Sequence, residues 1–127
     1  MFSSSDRTVL RDLASAVAER ASRPEMAERK ALWYRHNALD ATLRPLVFVD
    51  PEGSWREILP ESSLVCEGPE ARAMEVALRR EVWGADHLVT DNVVEAEWVV
   101  RKAVSSTGWG LEARWNCLLY TSPSPRD

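Results

Sequence analysis

The chain has 127 residues, a formal net charge of −4 at pH 7, and 45% hydrophobic and 28% charged side chains. That length suits one small domain or part of a larger one. The mild acidity argues against a nucleic-acid binder, which needs a basic face, and no apolar run approaches the roughly 18 residues of a membrane span.

The start, Met1 to Asp6, is polar and lacks the apolar core of a signal peptide. Asp6 is a good helix N-cap. Val9, Leu10, Leu13, Ala14, Val17, Ala18 and Ala21 then recur at helical spacing, which predicts an amphipathic helix over 7–21. Ser22-Arg-Pro-Glu25 reads as a capping box with Pro near the first helical position. It opens a second helix over 24–39, basic through Arg29, Lys30, Arg35 and His36, with Met26, Ala27, Leu32 and Leu39 as its apolar positions. Arg44-Pro45 closes that unit.

Leu46-Val-Phe-Val49 is a short apolar run without polar alternation, the pattern of a strand buried on both faces. Pro51-Glu-Gly-Ser54 forms a turn, and a polar loop follows. Pro69 opens a third helix over 69–83, with Met74, Ala77, Leu78 and Val82 on one face and Gly84 as its C-terminal cap. Beyond it Val94, Ala96, Trp98 and Val100 alternate with Glu95, Glu97 and Val99. After Ser105-Ser-Thr-Gly108, Trp109, Leu111, Ala113 and Trp115 alternate likewise, so a β-hairpin is expected.

The last stretch, Cys117 to Asp127, has neither period, and Pro123 and Pro125 would stop helix and strand alike. Read back into codons, it resembles the transposase-end adapter of a shotgun sequencing library. A non-native tail is therefore expected, cutting the preceding sheet short. The tail holds one Arg and one Asp, so the balance without it stays at −4. Cys66 then stands alone, which allows no internal disulfide and suits a reducing, cytoplasmic setting.

Arg44-Pro-Leu-Val-Phe-Val-Asp-Pro-Glu-Gly-Ser-Trp-Arg-Glu-Ile-Leu-Pro60 resembles the N-terminal part of the uroporphyrinogen decarboxylase-like superfamily, in its methyltransferase-like or uncharacterised metagenomic branch. Arg29-Lys-Ala-Leu-Trp-Tyr-Arg-His-Asn37, Cys66-Glu-Gly-Pro-Glu-Ala-Arg72, Leu78-Arg-Arg80 and Thr90-Asp-Asn-Val-Val-Glu95 carry the same resemblance, over residues 28–100. It implies an α/β fold, the incomplete N-terminal portion of a (β/α)8 TIM barrel. Residues 1–43 would be a helical extension, 44–116 the truncated start of the barrel, and 117–127 the adapter tail.

Members decarboxylate a porphyrinogen without a cofactor, or move methyl groups between a corrinoid and a thiol with zinc. The resemblance makes Leu46–Val49 the first barrel strand. It places Asp50, Glu52, Ser54, Trp55 and Arg56 at the C-terminal face, where such barrels keep their chemistry. The porphyrin decarboxylases carry Arg-Gln-Ala-Gly-Arg-Tyr after that strand. Here both arginines are replaced, and Asp50 and Glu52 would repel a polycarboxylate, so porphyrinogen is a poor substrate. The methyltransferase branch takes zinc from His and Cys residues late in the chain, so zinc belongs to a longer parent and none is expected here. The parent's substrate would be a small molecule or a corrinoid protein. With one or two strands the barrel cannot close, so the stretch alone is expected to be inactive.

The substrate-binding candidates are Glu52, Trp55, Arg56 and Asp91. Each has a plainer reading beside it. Glu52, with Glu57, also suits a solvated turn, Asp91 a loop or cap, Arg56 a surface ion pair, and Trp55, like Trp98, core packing. Arg72, Arg79 and Arg80 read as a solvated helix face. His36 and His87 lack the partner spacing of a zinc site, and the acidic loop at Cys66 disfavours a thiolate. The competing expectation is a small α+β binding module without catalysis.

Overall fold

The computed structural model describes residues 2–100, 102–105 and 110. Among them the regular structure is entirely helical. Helix α1 spans Ser4–Ala21, α2 Pro24–Asn37, the single turn α3 Trp55–Ile58, and α4 Pro69–His87. Short 3-10 turns at Glu52–Ser54 and Glu61–Ser63 interrupt the connection between α2 and α4.

The core is one cluster. Leu10 and Val17 of α1, Met26 of α2, Ala71 and Leu78 of α4, and Cys66 and Val94 from the connections are buried together. Val9, Leu13, Met74 and Val82 pack against them. These are largely the positions marked by the helical spacing, so the amphipathic stripes of α1 and α4 find each other as the pattern requires.

The helix ends differ from expectation. α1 starts earlier than residue 7. Ser3 is its N-cap, and the Ser3 hydroxyl accepts the Asp6 N–H at 3.0 Å. Asp6 thus stands three residues inside the helix and is free for a longer-range task, accepting the Glu67 N–H at 3.0 Å. A Cβ at Gly68 would stand 3.4 Å from that carboxylate, so a glycine eases the close approach. α2 is preceded by Arg23 without a side-chain cap, and Ser22 instead closes α1. Leu39 lies beyond α2 with φ of 59° and is 88% exposed, off the apolar face. α4 runs past Gly84 to His87. Its last turn is held from outside: Asp86 pairs with Arg20 at 2.7 Å and Arg23 at 3.1 Å. The ion pairs carry the helix past a residue that would otherwise end it.

The α/β barrel portion is overturned, because no strand forms among the described residues. Leu46–Val49 forms no regular element, and Val47 and Phe48 are 49% and 68% exposed, whereas a barrel strand would be buried on both faces. One backbone hydrogen bond reaches it from the 90–94 segment, Asp91 N–H to the Val47 carbonyl at 2.8 Å. Its other partners there are side chains, so no ladder builds. Residues 94–100 are likewise without strand structure, which also removes the β half of the α+β alternative. The rest of the expected hairpin and the adapter-like tail lie outside the described residues.

Candidate functional site

Two adjacent residues organise the region beside Leu46–Val49. Asp91 is buried and accepts from both Nη1 and Nη2 of Arg44, at 2.8 and 2.6 Å, and from the Val47 N–H at 2.8 Å. The Arg44 guanidinium, then the Val47 N–H, hold the Asp91 carboxyl well below the usual carboxylate range. Asn92 takes the next register step: its amide donates to the Val49 carbonyl at 3.1 Å. On the other side α2 reaches the same pair through backbone oxygens. The Trp33 indole donates to the Asp91 carbonyl at 2.7 Å and Arg29 to the Asn92 carbonyl at 3.0 Å. Two side chains thus substitute for a neighbouring strand and tie 44–49 to α2.

Between this clamp, the 50–55 turn and the C-terminal half of α4 lies a cleft of about 230 Å³. Trp55 forms part of its wall. Its indole N–H donates to Asp50 Oδ1 at 2.6 Å, and its ring meets Trp83 edge-on with centroids 5.5 Å apart. His87 stacks on Trp83 at 4.8 Å, and Arg80 Cζ lies 5.0 Å from the Trp55 ring centroid. The Glu52 N–H, then the Trp55 indole, keep Asp50 below its ordinary value. Glu81 borders the cleft from α4. Although it is exposed overall, crowding of its carboxyl by protein pushes its pKa up.

The four sequence candidates do not converge. Trp55 lines the cleft. Asp91 lies behind it as the clamp. Glu52 is exposed at the turn, with its backbone at φ 42° and its N–H donated to Asp50. Arg56 is exposed on α3, outside the cleft wall. Asp50, which the resemblance placed beside the site, lines the cleft; the residues without a sequence signal are Arg80, which reads as a solvated helix face, and Glu81 and Phe48. Arg80 carries an arginine's spacing and nothing more; the tryptophan it stacks on lies 25 residues earlier in the chain.

A second polar cluster is structural. Glu75 is fully buried and accepts the Val65 and Cys66 N–H groups at 3.0 and 2.7 Å and Arg79 Nε at 2.8 Å. Burial pushes its carboxyl up, but the Cys66 and Val65 N–H groups and Arg79 pull harder, leaving it below its ordinary value. Cys66 is buried beside it, and burial, then Glu75, raise the thiol to about 11. A thiol so placed is a poor nucleophile at neutral pH.

If Asp91 is a clamp, Asp91→Asn should loosen 44–49. We expect faster hydrogen exchange at the Asp91 N–H, which bonds the Val47 carbonyl, and a lower urea midpoint. Asp40→Asn, at a more exposed pair with Arg35, should leave that exchange unchanged. The folded pKa of Asp91 is depressed, so its contribution is present above the ordinary value of 3.8 and is lost as pH falls below it. Unchanged exchange in Asp91→Asn would remove the clamp.

No group of three or more His, Cys, Asp or Glu side chains suited to a metal occurs among the described residues. No helix among them is long and apolar enough to cross a membrane. No family model, curated protein or solved structure matches the chain.

Proposed function

We propose that the chain is the ligand-facing part of a uroporphyrinogen decarboxylase-like enzyme, of the corrinoid/thiol methyltransferase-like kind, and that alone it binds but does not turn over. One observation carries this reading. Four of the five segments that resemble the superfamily border the same cleft: Arg29 from the 29–37 segment, Phe48 and Trp55 from 44–60, Arg80 from α4, and Asn92 and Val94 from 90–95. Segments that share a site are expected to meet in space, and these are up to 65 residues apart in sequence.

The role is recognition. Trp55, Phe48 and Leu88 offer apolar walls, and a few polar groups fix orientation, the usual make-up of a small-molecule pocket. Asp50, which lines the cleft, keeps the polycarboxylate porphyrinogen an unsuitable occupant. A cytoplasmic setting, a corrinoid protein or small molecule as the parent's substrate, and zinc held by residues outside this stretch go with the same reading.

The test uses methylcobalamin with a thiol, and uroporphyrinogen, as probes. The chain alone should convert neither. The full reading frame that contains it should transfer methyl, and Trp55→Ala there should lower kcat/KM at least about tenfold, roughly 1.4 kcal/mol. Trp55→Phe, which keeps the ring, should lose less. No methyl transfer by the full protein, or full activity in Trp55→Ala, overturns the proposal.

A second reading, a non-catalytic helical binding module, is favoured by the way α1, α2 and α4 bury a shared core. It predicts no methyl transfer in any longer form.

A further inference from the structure

The charges around the cleft balance one another only in part: the Arg80 charge helps hold Asp50 down, and the Arg29 charge does the same for Asp91, but neither guanidinium is locked in an ion pair. Arg80 lies over the Trp55 ring, and no carboxylate among the described residues forms an ion pair with it. A guanidinium on an aromatic face keeps its N–H edge available, and that edge matches a carboxylate in two-point geometry. Arg29 also lines the cleft; one of its N–H groups goes to the Asn92 carbonyl, and no ion pair occupies it either. Two acids face the same space. Asp50 already accepts the Trp55 indole and the Glu52 N–H through Oδ1. Glu81 is biased toward its neutral form by its surroundings.

We propose that this cleft is a monocarboxylate site, in which Arg80, seconded by Arg29, pairs with the carboxylate while Phe48, Val49, Ala85 and Leu88 pack on an apolar or aromatic body. The inference deepens the cleft reading and rests on it. A single charge is favoured because Asp50, and Glu81 when ionised, would repel a dianion. The cavity of about 230 Å³ is below the range of drug-sized pockets, which points to a small body.

The probes are 3-phenylpropionate, its neutral amide 3-phenylpropanamide, and inorganic phosphate, each titrated into the whole chain by calorimetry. The acid should bind at least about tenfold tighter than the amide, the difference a hydrogen-bonded charge commonly makes. Arg80→Gln should erase that preference, and Arg80→Lys should keep part of it. Arg11→Gln, on the exposed face of α1, should change nothing. Melting curves of the three variants should match the parent, since Arg80 and Arg11 are exposed. Equal binding of acid and amide overturns the carboxylate site while leaving a ligand cleft standing. Binding of neither overturns both. Phosphate bound as tightly as the acid, or an undiminished preference in Arg80→Gln with Arg80→Lys unchanged, also overturns the proposal.

Discussion

Replacing Glu75 with Ala should destabilise the chain by about 3 kcal/mol, read as a lower urea midpoint at unchanged slope. The side chain is 0% exposed and terminates three donors: the Val65 and Cys66 N–H groups and Arg79. Removing it leaves the buried Cys66 N–H and the part-buried Val65 N–H without their acceptor. The penalty comes from those orphaned donors more than from the lost ion pair, whose Arg79 side chain is 28% exposed. Glu75→Gln should cost about 2 kcal/mol, since one amide oxygen cannot serve all three donors.

The pH dependence has a definite sign. The folded pKa of Glu75 lies below the ordinary 4.5, so its stabilisation is complete above that value and is lost as pH falls below it. Asp6 and Asp86 are shifted the same way, Asp6 chiefly by the Glu67 N–H and Asp86 chiefly by Arg20. The parent should therefore lose stability on acidification below about pH 4, and Glu75→Gln should flatten that decline. A loss under about 1 kcal/mol in Glu75→Ala, with an unchanged acid limb, would mean that the 64–68 connection is not held this way.

Trp55→Ala should cost roughly 3 kcal/mol by itself, because it deletes a buried indole at the junction of turn, α3 and α4. It is 8% exposed and touches the Trp83 ring edge-on. Trp55→Phe should cost about 1 kcal/mol, near the worth of one hydrogen bond, since it loses the Asp50 contact and keeps much of the ring. If the two variants were equally stable, Trp55 would be a passenger on the surface of α4, and the cleft would have no fixed wall.

How far the sequence led depends on the kind of interaction. The stripes of α1 and α4 are visible because apolar side chains repeat at the helical period, and Leu10, Val17, Met74, Leu78 and Val82 take the places the period assigns. Helix ends were less visible. Asp6 reads as the cap, yet Ser3 takes that place, and Asp6 instead accepts the Glu67 N–H, 61 residues away in sequence. Gly84 has the look of a stop, but Asp86 meets Arg20 and Arg23 beyond it. Leu46–Val49 has the composition of a buried strand. Composition cannot tell whether neighbours exist to bury it, and here Asp91 and Asn92 satisfy its backbone while its side chains stay open to water.

The site was legible in one residue and in its general location. Trp55 stood out as a large aromatic in a polar turn, and it does line the cleft. Asp91 stood out too, and its burial against Arg44 gives it a structural task. Glu75 gave no signal at all, since a glutamate among charged helix residues reads as solvated. Arg80 had the same fault: its meaning depends on Trp55, which only folding brings beneath it.

The central claim is that the cleft at Trp55 is where this chain meets its ligand. The most direct measurement is a chemical-shift map of the whole chain, backbone amides and indole N–H groups together, during titration with 3-phenylpropionate. The largest shifts should fall on the Trp55 indole and on the amides of Arg80, Ala85, Thr90 and Asn92, with Ala14, Met74 and Ala96 unmoved. Shifts concentrated at Ala14, Met74 and Ala96, in the apolar groove between α1 and α4, would contradict it.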